Sequence, residues 1–164
     1  HAKNANVPII VAVNKCDLLL STKNTKQMLE QRLESSLAQV RGVPIVTLSA
    51  LTGSGIKELM RVVFSIYQIW NRRITTAQLN TWLADMVEIH PPPLASSGRR
   101  TKLRYITQIK SRPPTFAIWV SKPKNIAESY KRYLINGLRE SFGLCGVPIR
   151  MEFRRGKNPY STDK

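Results

Sequence analysis

The sequence predicts an α/β half, two parallel strands with helices, followed by a small α+β domain with the order α-β-β-α-β. Three observations carry this reading. Two short β-branched apolar runs, Val7–Val13 (VPIIVAV) and Val43–Leu48 (VPIVTL), are each followed by apolar positions at helical spacing. Past residue 75 the period changes to alternation in Leu103–Lys110, Phe116–Ser121 and Ile149–Arg154. The polar segment Asn71–Thr76 (NRRITT) lies between the two patterns, giving domains at 1–74 and 75–164.

Each element has its own justification. Val7–Val13 reads as a strand buried on both faces. After the polar stretch Ser21–Lys26, Met28, Leu29, Leu33, Leu37 and Val40 recur at helical spacing, and Arg41-Gly42 stops the helix. Val43–Leu48 is a second buried strand. A second amphipathic helix follows on Leu59, Met60, Val63, Tyr67 and Trp70. Strand–helix–strand–helix implies parallel strands with a right-handed crossover. Two strands are half of a usual doubly wound sheet, so this part reads as the end of something larger.

In the second domain, Leu79, Trp82, Leu83, Met86 and Val87 mark a helix that Pro91-Pro92-Pro93 terminates. His90 reads as a helix-end cap, and Leu94–Thr101 is a Ser/Gly loop. Pro113-Pro114 turns the chain between two strands. Ala127, Tyr130, Leu134, Leu138 and Phe142 give the second helix, and Ile149, Met151 and Phe153 the last strand. The tail from Gly156 reads as loose.

Composition limits the function classes. The 164 residues carry 26 Lys+Arg against 10 Asp+Glu, a formal net charge of +16, and such a field concentrates polyanions. Residues 1–74 hold 10 basic and 4 acidic side chains; residues 75–164 hold 16 and 6. The second domain is the more basic. No apolar run is long enough to span a membrane, and the opening His1-Ala2-Lys3-Asn4 lacks an export-signal layout, so a cytoplasmic protein without membrane contact is expected. The start without Met, just before a strand-like run, reads as a processed, cut or incomplete chain. Cys16 and Cys145 read as free thiols, and no ligand cluster surrounds His1 or His90, so no metal site is expected.

The chemistry-bearing motif is Asn14-Lys15-Cys16-Asp17, directly after the first strand, where open α/β sheets bind ligands. Its spacing matches the NKxD guanine-specificity motif of GTPases. Guanine presents N1–H and N2–H₂ as parallel donors, and the Asp17 carboxylate suits them as a bidentate acceptor. Asn14 would tie neighbouring loops together and reach the base edge, and the stem of Lys15 would lie over the base. Ser49-Ala50-Leu51 ends the next strand and matches the SAx motif, whose backbone N–H meets guanine O6. The guanine site is therefore Asn14, Lys15, Asp17, Ser49, Ala50 and Leu51.

Val43–Trp82, His90–Pro93, Lys102 through Phe116, Tyr130–Tyr133 and Pro148–Tyr160 (PIRMEFRRGKNPY) resemble the C-terminal third of the Der (EngA) family of ribosome-assembly GTPases. The resemblance implies a partial P-loop GTPase domain followed by a KH-like domain. It also implies GTP/GDP with Mg²⁺ as ligands of the complete protein. The implied partners are the large ribosomal subunit, its rRNA and the upstream G domains. The first twenty residues also resemble translation-factor GTPases, with nothing downstream in support. The chain departs from the family in lacking GxxxxGK[ST] and DxxG, so it holds no catalytic residues, and alone it is expected neither to hydrolyse GTP nor to bind it tightly.

The basic surface is expected on the open sheet face of the second domain. If Leu103, Phe116 and Ile149 face the helices, Arg104, Lys110, Trp119, Arg150 and Arg154 share the other side. Trp119 among guanidiniums then either stacks on RNA or docks on another domain. Tyr105, Tyr130 and Tyr133 read as core or rim. Gly143-Leu144-Cys145-Gly146 has the GxxG spacing of an RNA clamp but follows a helix and precedes a strand, so Gly143 reads as a helix cap and Gly146 as a turn residue. Two other readings stay open: a free-standing RNA-binding module without nucleotide function, and a remnant of a split gene.

Overall fold

In the computed structural model, which describes residues 6–18, 27–33, 42–94 and 100–155, the first strand is short. Strand β1 (Val11–Val13) pairs in parallel with β2 (Ile45–Thr47), Val11 opposite Ile45 and Val13 opposite Thr47. Ile45, Val46 and Leu48 are buried, but β1 is only half-buried and Val7 is 41% exposed. The expectation of a strand buried on both faces is therefore not met. Among the described residues β1 has one neighbour strand, which leaves its other edge uncovered. Residues 27–33 are helical with Leu29 and Leu33 half-buried, while Met28 is exposed. Leu37, Val40, Arg41 and the polar stretch Ser21–Lys26 lie outside the described residues.

Helix α1 (Ile56–Asn71) follows a tight turn. Gly55 caps it at φ 77°, and a Cβ there would collide with the Thr47 carbonyl, so only glycine lets the helix start this close to β2. The inward stripe is Leu59, Val62, Ile66, Ile69 and Trp70, of which Ile66 is buried and the others half-buried. Met60, Val63 and Tyr67, expected on that face, are 46%, 38% and 52% exposed, and Phe64 beside them 61%. The helix carries two apolar stripes, and periodicity alone does not say which one meets the strands.

Contacts divide the chain into two units: His1–Arg72 with Gly143–Ile149, and Arg73–Phe142 with Arg150–Lys164. The reading above ended the first domain at Ile74 and placed Gly143–Ile149 wholly in the second. Leu144 and Val147 are fully buried, and Gly146 lies against Ile66, Gly42 and Pro44. Gly143 and Gly146 both take left-handed backbone, as a helix-end residue and a turn residue do.

The second unit is a three-stranded sheet, β3 (Leu103–Lys110), β4 (Thr115–Val120) and β5 (Arg150–Arg155), with β4 central. β3 runs antiparallel to β4, and β5 parallel. With helices α2 (Thr76–Ile89) and α3 (Glu128–Ser141) this gives the expected α-β-β-α-β order. Its core joins Leu79, Trp82 and Leu83 of α2, Leu134 and Leu138 of α3, and Ile106, Phe116, Ile118, Val120 and Met151 of the sheet. Gly137 is where α2 and α3 meet: a Cβ there would overlap Met86 and lie 3.3 Å from Trp82. β4 was expected to alternate, yet all but Trp119 is buried, because a central strand is shaded on its second face by its neighbours' side chains.

Helix α2 opens with a capping box between Thr75 and Gln78. At its other end Tyr130 donates its hydroxyl to the His90 carbonyl, which the helix end leaves open, and Tyr133 donates to the Met86 carbonyl, which also accepts from the His90 amide, both at 3.0 Å. His90 is the C-cap and its ring packs on both tyrosines. Burial, then the neighbouring Tyr133, pushes Tyr130 up to about 12.

The outer edge of β3 is closed by side chains. Asn80 of α2 accepts from the Ile106 amide at 3.0 Å and donates to its carbonyl at 3.1 Å, as a strand neighbour would. Arg73 donates to the Gln108 carbonyl, and the Gln108 side chain accepts from the Ile74 amide at 2.8 Å. Such an edge would otherwise expose unpaired groups. Replacing Asn80 by Ala strands both Ile106 groups and should destabilise the second unit by about 1–3 kcal/mol, read by urea denaturation; no change would mean that water satisfies the edge equally well.

Tyr130 gives a second expectation. Its folded pKa lies above the ordinary value of 10, so its contribution to stability is complete below pH 10 and is lost as pH rises toward 12. The melting temperature should fall across that window, and Tyr130→Phe should flatten the fall; an equally steep fall in the variant would refute the assignment.

Candidate functional site

β1 and β2 end side by side, and the loops leaving them are joined by one side chain. Asn14 Oδ1 accepts from the Lys15 amide at 2.8 Å and from the Ala50 amide at 3.0 Å, thirty-six positions away. Backbone bonds continue the ladder, with Leu48 donating to Val13 at 2.8 Å and Cys16 to Leu48 at 3.0 Å. Lys15 is held at φ 63°, a left-handed conformation that costs a side-chain-bearing residue about 1 kcal/mol and tends to mark working sites. The chain then folds into a single 3-10 turn, Cys16–Leu18.

Around this clasp lies a crevice of about 510 Å³, lined by Asn14, Lys15, Asp17, Leu18, Ser49, Ala50 and Leu51. All six residues singled out from the motifs line it, and Leu18 is added. That volume is within the usual range for small-molecule sites. Asp17 is exposed, and among the described residues its carboxylate has no hydrogen-bond or ion-pair partner.

Two of the six sit differently from their expected roles. Ser49 is 1% exposed, and its groups hold the turn: its amide donates to Ser54, its carbonyl accepts from Gly53, and its hydroxyl from Thr52. It shapes the crevice wall. The Ala50 amide, one of the backbone N–H groups of the SAx segment, is committed to Asn14. The next amide, that of Leu51, has no partner among the described residues and is the donor left over. Leu51 itself is 89% exposed. No group of three or more His, Cys, Asp or Glu that could hold a metal occurs among the described residues. No helix among them is long and apolar enough to cross a membrane.

The open sheet face of the second unit is arranged differently from the expectation. Residues opposite each other in register share a face. Tyr105, Trp119 and Arg154 form one such row, Thr107, Ala117 and Glu152 the next, and Lys110, Thr115 and Arg150 a third. Trp119 and Arg154 thus stand about 13 Å along the strand from Lys110 and Arg150. Arg104 joins neither row, because it is the extra residue of a β-bulge between Leu103 and Tyr105.

That bulge also moves Tyr105. Strict alternation puts Leu103 and Tyr105 on one side, and Tyr105 was read as core or rim. Instead it is 43% exposed and stacks on Trp119 with centroids 4.4 Å apart and planes 10° from parallel. The Arg154 guanidinium lies over Trp119 at 5.7 Å and also pairs with Glu152 at 2.8 Å. The Trp119 ring is thus faced by Tyr105 and by Arg154. The signal that sequence reasoning missed is the bulge, which no residue type announces.

A second basic feature was not foreseen. Ser121, Lys122, Pro123, Lys124, Asn125 and Arg155 line a groove of about 560 Å³ at the carboxyl ends of the parallel strands β4 and β5.

Comparison with known proteins gives this geometry a family context. Residues 73–154, half of the chain, match the family described as KH-domain-like of EngA bacterial GTPase enzymes, C-terminal. Residues 1–68 match the elongation factor Tu GTP-binding domain, so the translation-factor likeness seen in the first twenty residues extends well beyond them. GTPase Der of Parvibaculum lavamentivorans is 48% identical over 156 residues, 95% of this chain and 33% of that protein. GTPase Der of Cereibacter sphaeroides is 50% identical over 158 residues, 95% of this chain and 32% of that protein. The chain thus spans about a third of the length of these curated relatives. A crystal structure of Era with MgGDPNP and nucleotides 1506–1542 of 16S ribosomal RNA aligns over 92% of this chain and 56% of that one, at a TM-score of 0.33 and 17% identity, too loosely to bear on function. A G-domain-like parallel strand pair followed by a KH-like α+β unit, with about half identity to GTPase Der over 95% of this chain, places it in the Der (EngA) GTPase family.

Proposed function

We propose that this chain supplies the guanine-reading end of a GTP-binding site, and that the protein to which it corresponds works on the large ribosomal subunit. The observation that carries the first part is the Asn14 clasp. By holding the two strand-end loops together, it leaves the Asp17 carboxylate and the Leu51 amide open on one crevice. A base edge with two adjacent donors and a neighbouring acceptor is met by that pair, Asp17 taking N1–H and N2–H₂ and an amide meeting O6. Lys15, in its left-handed turn, lies at the crevice mouth to cover the base. Adenine offers neither the donor pair nor the carbonyl.

GTP or GDP with Mg²⁺ is the ligand of the complete protein. The residues that would hold the phosphates and the metal lie outside this chain, which contains no GxxxxGK[ST] or DxxG segment. Ribosomal RNA as partner is supported by the +16 charge, the larger share of it in the second domain, and by the resemblance to ribosome-assembly GTPases.

Two outcomes test this. In the complete G domain, Asp17→Ala should weaken GDP binding by about 100-fold, the worth of two hydrogen bonds to a charged group, as measured by fluorescent-nucleotide titration. Retained affinity would remove Asp17 from the site. The purified 164-residue chain should show no GTP turnover; release of phosphate above background would refute the division of labour.

A further inference from the structure

We propose that the groove at the carboxyl ends of β4 and β5 is a phosphodiester site that holds the backbone of a single strand of RNA. The proposal rests on the ribosomal-RNA reading and relocates its contact from the open sheet face to this groove.

Lys122 and Lys124 come from the turn after β4 and Arg155 from the end of β5, so residues some thirty positions apart converge on one concave surface. The turn is built firmly. The Ser121 amide donates to the Lys102 carbonyl and the Lys102 amide to Ser121 Oγ, both at 3.0 Å, which fixes the start of the turn against the strand leading into β3. Asn125 donates back to Lys122 at 3.2 Å around Pro123.

The three cations Lys122, Lys124 and Arg155 are exposed, and among the described residues none is paired with a carboxylate; the groove lining contains no acid at all. The open sheet face spreads its charge instead of gathering it. Arg154 is spent on Glu152 and Trp119, and Arg104 and Lys110 stand at separate bulges. Unpaired cations along a groove are what tracks a sugar–phosphate backbone, with Ser121 and Asn125 adding polar groups beside them. A duplex reader must instead bridge about 16 base pairs of minor groove, far beyond one turn and one strand end.

The test uses the whole chain and a fluorescein-labelled oligouridylate of about 12 nucleotides, followed by anisotropy over a salt series. K122Q/K124Q/R155Q should weaken binding at least about tenfold and lower the slope of log affinity against log salt by about 2, at roughly 0.7 per lost contact. R104Q/K110Q/R150Q removes the same charge from the sheet face and should change affinity by less than about threefold. K122R/K124R/R155K should restore binding, and unchanged melting temperatures show that the variants fold. Equal losses in both triple variants, or a loss confined to the sheet-face variant, overturn the groove while leaving the RNA reading intact. Dispersal of the complex by millimolar inorganic phosphate, or tighter binding of a duplex of the same length, overturns it too. An unmodified chain that binds neither RNA removes both readings together.

Discussion

The geometry of the first unit hangs on one oxygen atom. Asn14 Oδ1 accepts two amides from loops that no other side-chain bond joins among the described residues, at the point where two parallel strands stop. Each bond is worth about 1 kcal/mol at most in so exposed a place. Its importance is directional, because parallel strands end in loops that would otherwise diverge. With the clasp in place, the turn at Lys15 is forced left-handed, Asp17 is carried to the crevice mouth, and the Ala50 amide is used up while that of Leu51 is not. The site is a consequence of how two strand ends are tied.

The second unit solves a related problem with the same residue type. Its edge strand β3 is finished by the amide side chain of Asn80, which meets both polar groups of Ile106. The α2 end is finished by Tyr130 and Tyr133 from α3. Sheet and helices are thus joined by polar contacts at their boundaries as well as by the apolar core. That leaves the far sheet face free to carry side chains unrelated to packing, and they arrange themselves as a stacked column.

Much of this was legible in the sequence, for identifiable reasons. The NKxD and SAx motifs are short and lie at strand ends, so their residues had to share a crevice once the strands were parallel. Element order followed from periods of 2 and 3.6, and α3 was located to within a residue by Ala127 and Phe142. What failed did so where periodicity is degenerate or interrupted. Helix α1 has two apolar stripes and only one can meet β2, so Met60, Val63 and Tyr67 were put on the wrong side. β1 reads from its apolar run as buried on both faces, yet among the described residues it is only half-buried. Ser49 lines the crevice as its motif implies, but that its hydroxyl and backbone are taken up by its own turn could not be read from its position. The basic groove escaped notice since Lys122, Lys124 and Arg155 are ordinary surface residues until the fold brings them together.

The bulge at Arg104 has a consequence for how relatives of this domain should be aligned. Leu103 and Tyr105 are both odd-numbered, yet one belongs to the covered face and the other to the open one, because Arg104 adds a residue that β4 does not match. Which face a β3 side chain occupies is therefore set by a count of residues, independent of their chemistry. A homologue lacking one residue at this point would keep every hydrophobic residue type and still turn Leu103 toward water or Tyr105 inward. Gap placement around Arg104 thus decides whether the aromatic column is inherited, and substitution scores alone will not see it.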